Sequence, residues 1–294
     1  MPSLQGRLII SAAIGLITGI YCWLVLRHLQ LGAADFNWAI WAAWDLLHHR
    51  NPYFRLMQLY PLPAALFALP LAWMPASVAG GTFYGISSGL LAFGLSREGY
   101  RQLLVFFAYP YWAGLIVCQW TPLIMAAAFF PFLLPATMSK PQLGIPVFLT
   151  RISRWGFLAC LLVGCLSLAL MPSWPLLWLA QLAQYHRFIP VLLLPGPLLL
   201  FALLRYRDRD ALLFLLAACM PQRWFYDGFI LWLIPKTRRE LVWTVFFSWG
   251  AGIWRWYHHP TSFTEVGRVA VIFLYLPMLL LLLFRNISAG SQPE

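Results

Sequence analysis

Apolar residues in this chain fall into long runs. Leu161 to Met171 and Val269 to Phe284 are almost unbroken, whereas a transmembrane barrel would alternate apolar and polar residues in segments of roughly ten. The pattern predicts helices. Full or near-full spans are expected at 8–27, 79–96, 102–118, 155–171, 188–204, 241–256 and 266–284, and shorter or broken ones at 121–138, 141–150, 211–222 and 228–236. A full crossing takes about 20 apolar residues. Pro131 and Pro135 interrupt one segment, and broken helices at membrane depth are tolerated only where protein or a water-filled cavity covers the freed backbone. The expected fold is all-α: one polytopic transmembrane bundle over residues 1–287 with about 9–11 full or partial spans, followed by a disordered tail at 288–294. The first run, Leu8 to Leu26, is too long for a signal-peptide core and lacks a small-residue cleavage site, so it is expected to remain as an anchor.

Composition narrows the class. With 62% hydrophobic and 10% charged residues, a soluble globular domain is excluded. The net charge of +11 is spread in small groups between apolar runs, which argues against nucleic acid as a partner and for topology signals facing lipid headgroups. Arg97 with Arg101, Arg151 with Arg154, Arg205/Arg207/Arg209, Lys236/Arg238/Arg239 and Arg285 can all be cytoplasmic if 28–78 is an outer first loop. That topology also puts 119–121 with 139–142, 172–187, 221–228 and 257–265 on the outer side. Tyr60 to Pro75, with Pro61, Pro63, Pro70 and Pro75, is expected to lie along the outer surface or to dip in and return. The expected location is a bacterial inner (plasma) membrane with an extracytoplasmic site.

Only nine Asp and Glu occur in 294 residues, so an acid beside Trp38, Trp41 and Trp44 draws notice. Asp35 reads equally as a helix N-cap or as a general base whose pull on a hydroxyl proton is strengthened by burial against aromatic rings. Asp45, a possible second acid, has Trp41 and His49 four positions away on either side and suits a local surface network. Lys140 is one of two lysines and lies on the outer side, as a snorkelling cation or a phosphate ligand. Arg223 and Asp227, four positions apart, read as an ion pair or as part of a site with Tyr226; His186 and Arg187 add ionisable groups on that side. No metal or cofactor is expected. His258 and His259 are adjacent and cannot share one helix face, the five cysteines sit singly in apolar runs as small core residues, and Asp208-Arg209-Asp210 reads as a solvated cluster in a basic loop.

Four short elements, in order, carry a resemblance. Ala34-Asp35-Phe36 through Asn51-Pro52-Tyr53 and Tyr60-Pro61-Leu62-Pro63 resemble the first outer loop of polytopic C-type glycosyltransferases, particularly the family 87 mannosyltransferase-like group. Cys118-Gln119-Trp120-Thr121 is similar to that group's Gly-Gln-x-Asn element, Lys140-Pro141-Gln142 to its Lys-Pro-Gln element, and Trp224-Phe225-Tyr226-Asp227 to its Trp-x-Tyr-Asp element. Gly and Asn of the Gln element are Cys118 and Thr121 here. The interval from Gln119 to Lys140 is too short for two complete spans, so a re-entrant hairpin or a distorted pair is expected.

The resemblance implies an inverting membrane hexosyltransferase that moves a sugar, mannose or a related hexose, from a polyprenyl-phosphate donor to the hydroxyl of a glycan or glycolipid acceptor. It implies Asp35 as base. Placement on the outer side and the leaving phosphate's need for cations point to Lys140 and Arg223 at the donor phosphate, with Tyr53, Tyr60, Gln119, Gln142, Tyr226, Asp227, His186 and Arg187 expected around the substrates. Two other readings of the chain are a transporter or flippase of a lipid-linked or sugar-like solute and a non-catalytic relative.

Overall fold

A computed structural model describes residues 2–55, 58–184 and 187–285; His186 and the tail at 288–294 lie outside these. The described residues form an all-α protein. The α-helices are α1 (Leu4–His28), α2 (Asn37–Leu47), α3 (Leu62–Ala68), α4 (Ala76–Leu95), α5 (Tyr109–Ile116), α6 (Thr121–Ala126), α7 (Pro141–Arg151), α8 (Arg154–Leu170), α9 (Trp174–Gln181), α10 (Arg209–Cys219), α11 (Arg238–His258), α12 (Phe263–Ala270) and α13 (Leu276–Phe284). Val271–Tyr275, a π-helical turn, joins α12 to α13 into one long element.

Among the described residues three helices are long and apolar enough to cross a membrane: Leu4–His28, Ala76–Glu98 and Phe263–Phe284. The pair α8 and α9, bent by 92° at its break, makes a fourth if counted as one span. The chain therefore has the makings of an integral membrane protein, with fewer regular spans than the apolar runs predict. Prolines account for part of the difference. Pro110 opens α5 after a 3-10 stretch at Tyr100–Phe107, Pro131 and Pro135 sit in a 3-10 stretch at Pro131–Ser139, and Pro197 lies at the start of another at Gly196–Arg205. Proline has no N–H to give an α-helical ladder.

Ser3 caps α1, its Oγ accepting from Gly6 N at 3.1 Å, and Arg27 and His28 complement the dipole at the other end. Small residues bring α1 and α4 together. A β-carbon added at Gly85 would lie 2.7 Å from Gly15 O, and one at Gly81 2.8 Å from Gly19 O, so the backbones touch in the manner of small-xxx-small membrane pairs.

Two groups of polar contacts sort the loops. Trp178 on α9 donates to Leu59 O at 2.9 Å and Gln181 donates to Tyr53 O at 3.2 Å, which joins two regions expected on the outer side. Elsewhere Asp210 faces Arg285 at 3.0 Å and Arg151 and Lys236 at 3.5 Å, and Arg285 also meets Glu240 at 3.2 Å. These residues come from regions expected in the cytoplasm.

Several expectations are corrected here. Asp210 is buried and multiply paired, and Asp208 caps α10 by accepting from Asp210 N, so this is an inter-helix clasp in place of a solvated cluster. Within Tyr60 to Pro75, α3 buries Leu62, Ala64, Ala65 and Ala68 against its neighbours, its small residues allowing close contact, while Trp73 and Met74 are exposed. Cys22, Cys118 and Cys160 are buried, but Cys165 and Cys219 are exposed on helix faces, where an apolar thiol can face lipid. Asp45 pairs with Arg55 through a bidentate guanidinium fork, Nη2 to Oδ1 at 2.8 Å, in place of a local network with His49.

Candidate functional site

Two segments with left-handed residues present the central pair. After α1 the chain turns through Gly32 and Ala34, the latter at φ 48°, and delivers Asp35 in a short 3-10 turn before α2. After α5 it turns through Cys118, at φ 52°, and delivers Gln119 before α6. The turns are stitched together by Asp35 N donating to Val117 O at 3.1 Å, and Gln119 Nε2 donates to Asp35 Oδ2. Asp35 does not cap α2, whose N-cap is Phe36 with no side-chain bond. Asn37 instead braces the turn, accepting from Ala33 N at 3.0 Å and donating to Leu31 O at 3.1 Å.

From Gln119 the chain runs through α6 and the 3-10 stretch and returns, so that Lys140 Nζ lies 2.8 Å from Gln119 Oε1. The interval thus doubles back, bringing its two ends side chain to side chain. Lys140 also donates to Asp227 Oδ1 at 2.7 Å and stands 5.0 Å from the centre of the Tyr226 ring. Lys140 is 4% exposed and Asp227 fully buried. Asp227 is not in an α-helix; Trp224 is extended and a 3-10 stretch begins at Phe225. Its second oxygen accepts the backbone N–H of Arg223 at 2.8 Å.

Asp35 lies where two cavities meet. A polar cleft of about 20 Å³ is lined by Asp35, Trp38, Tyr60, Ser139, Lys140 and Gln142, with Arg223 at its edge; that volume suits one water or one hydroxyl group. A chamber of about 300 Å³ on the other side is lined by Asp35, Arg223, Tyr226, Trp224, Arg255 and Phe263. Ala113, Ile116, Trp224 and Arg255 also line a groove of about 1000 Å³ with Tyr21, Trp112, Trp249 and Trp256. Trp256 is 77% and Ile253 57% exposed, so the groove opens on the apolar outer face of α11.

Burial pushes the Asp35 carboxyl above its ordinary value of 3.8, in opposition to the positive fields of Lys140 and Arg223 and the Gln119 hydrogen bond, which pull it down.

No protein-family model matches this chain, and no curated protein or solved structure matches it. The site must be read from its own chemistry.

Of the residues singled out in the sequence, Asp35, Tyr60, Gln119, Lys140, Gln142, Arg223, Tyr226 and Asp227 come together here. Tyr53 supports the neighbouring loop, its hydroxyl donating to Tyr60 O at 3.2 Å. Arg187 is exposed and lines neither cavity, next to the bridge joining Phe188 and Gln222. Asp45 is engaged with Arg55. The sequence reading passes over Ser139 and Arg255, which line the cleft and the chamber. Ser139 Oγ is buried with no hydrogen-bond partner among the described residues, and its signal was its place directly before Lys140. Arg255 stands 5.8 Å from the Trp224 ring, a lone cation in an aromatic run. Among the described residues no group of three His, Cys, Asp or Glu is placed to hold a metal ion.

Proposed function

We propose that this protein is an inverting membrane glycosyltransferase of the C type, moving a hexose such as mannose from a polyprenyl-phosphate donor to the hydroxyl of a glycan or glycolipid. The observation that carries this reading is the position of Asp35: one carboxylate borders both a hydroxyl-sized polar cleft and a chamber continuous with an apolar aromatic groove. An amphiphilic donor needs those two environments side by side, with a base between them. The tail lies in the groove, the phosphate at Arg223 and Arg255, and the sugar in the chamber.

In the reaction the acceptor oxygen enters the cleft beside Ser139 and loses its proton to Asp35. That oxygen bonds to the anomeric carbon as the bond from this carbon to the phosphate oxygen breaks, and the phosphate leaves with the electron pair. Guanidinium groups suit that leaving group, since they offer several N–H donors to developing negative charge. Lys140, committed to Gln119 and Asp227, has less to give the phosphate than the sequence alone led us to expect. In this reading the protein sits in a bacterial inner membrane, with Asp35 on the extracytoplasmic side.

The test is reconstitution in lipid vesicles with a panel of polyprenyl-phosphate sugars and candidate acceptors. The reading predicts loss of a donor matched by gain of one hexose mass on an acceptor. Movement of solute across the vesicle wall without covalent change would support a transporter instead.

A further inference from the structure

Gln119 faces two groups of opposite demand. An amide side chain can meet Asp35 with either end: its N–H₂ donates to a carboxylate, whereas its carbonyl accepts from a protonated carboxyl. Burial around Asp35 favours the protonated form. What selects the orientation is Lys140, because an ammonium group has donors only and its Nζ lies 2.8 Å from Gln119 Oε1. The carbonyl must therefore face Lys140 and the N–H₂ must face Asp35. Lys140 is held in turn by the fully buried Asp227 at 2.7 Å, whose other oxygen is fixed by Arg223 N–H. Every donor in this chain, from Arg223 N–H and Lys140 to Gln119, is assigned by that logic.

We propose that Lys140, anchored by Asp227, is a positioning residue that acts through Gln119, locking the amide with its N–H₂ toward Asp35 so that the site holds a carboxylate ready to take a proton. The need for a ready base rests on the transferase reading; the orientation of Gln119 does not. The other charged groups acting on Asp35 are Arg223 and Asp227, with the Cys118 thiol beside it and Arg255 lining the same chamber. The variants below leave Arg223, Cys118 and Arg255 in place.

The experiment is an infrared pH titration of the purified protein in lipid, following the carbonyl stretch of protonated Asp35, assigned as the band missing in Asp35→Asn. Gln119→Leu removes the donor. The double variant Lys140→Met with Asp227→Asn removes the anchor while leaving no unpaired buried charge, and the amide oxygen that Asp227→Asn introduces can still accept from Arg223 N–H. In both, the protonation midpoint is expected to rise by about one pH unit or more, tenfold in the equilibrium, as fits loss of a hydrogen bond to a charged group. An unchanged midpoint in the double variant, with folding verified by its circular dichroism, overturns the role of Lys140; an unchanged midpoint in Gln119→Leu overturns the relay altogether. No sugar is needed for this readout. Because the charge of Lys140 also acts on Asp35 directly, the double variant is repeated in a Gln119→Leu background: a smaller rise there than in the native background upholds the relay, and an equal rise assigns the effect to the direct field and overturns it. The relay upheld without any transferase activity removes the catalytic reading, and Asp35-dependent transfer with unchanged midpoints does the reverse.

Discussion

Asp35 and Gln119, 84 positions apart, meet side chain to side chain, and each directly follows a residue in the left-handed region, Ala34 at φ 48° and Cys118 at φ 52°. A residue with a β-carbon is strained there by about 1–2 kcal/mol. Such strain is tolerated where surrounding structure holds it, and it collects at functional sites.

Replacing Ala34 by Gly is therefore expected to stabilise the protein by about 1 kcal/mol, less the extra chain entropy glycine brings to the unfolded state. Thermal unfolding in detergent should show a raised midpoint. A lowered one would mean that contacts of the Ala34 methyl outweigh the backbone term.

The pH dependence follows from the raised Asp35 carboxyl. A base works only when deprotonated, so transfer should fall as pH drops through a value above 3.8. The stability effect has the opposite sense: the folded state binds the proton more tightly than the unfolded state, so this group's contribution falls as pH rises through the same window. Asp35→Asn should accordingly unfold at a higher temperature than the native protein at neutral pH. Equal midpoints would show that Lys140 and Arg223 already offset the burial penalty.

Much of the fold was legible because apolar runs need only their length to be recognised. The three long helices fall where the runs at 8–27, 79–96 and 266–284 predicted them. Less legible was which runs would break. Proline positions hinted at it, but nothing local announces that Phe225–Leu233 winds as a 3-10 helix. The same distinction holds at the site. Scarce polar residues in apolar surroundings marked Asp35, Gln119, Lys140 and Asp227, while Asp45, marked as a possible second acid, is paired by Arg55, ten residues on, through a turn that periodicity does not encode. Ser139 and Arg255 were hidden because serine is ordinary and arginine near an interface has a common explanation.

The α1–α4 contact gives a packing prediction. Gly85→Val places branched carbon against Gly15 O, where even a β-carbon would lie 2.7 Å away. Overpacking of this kind costs about 1–3 kcal/mol, and the variant should unfold at a lower temperature. Ile86→Val, on the exposed side of the same helix, should change little.

Arg255 separates the donor from the acceptor. Arg255→Gln keeps a polar side chain, though a shorter one, and removes the cation that lines both chamber and groove, so it should raise KM for the polyprenyl-phosphate sugar by about tenfold or more, in line with about 1.5–3 kcal/mol for a charged hydrogen bond. The KM for the acceptor should hardly move. Ser139→Ala, whose hydroxyl lines the cleft, should show the reverse pattern; matched changes in both constants would place neither residue in its assigned subsite.

The most direct measurement of the central claim is the rate of hexose transfer by Asp35→Asn beside Asp45→Asn, each reconstituted in vesicles with donor and acceptor. Asparagine preserves shape and removes the proton acceptor, so Asp35→Asn should lose about 10²–10⁴-fold in turnover while still binding donor. Asp45→Asn should retain most of its activity, since that carboxylate is occupied with Arg55. Near-native transfer by Asp35→Asn, or a dead Asp45→Asn beside it, would contradict the assignment of Asp35 as the base.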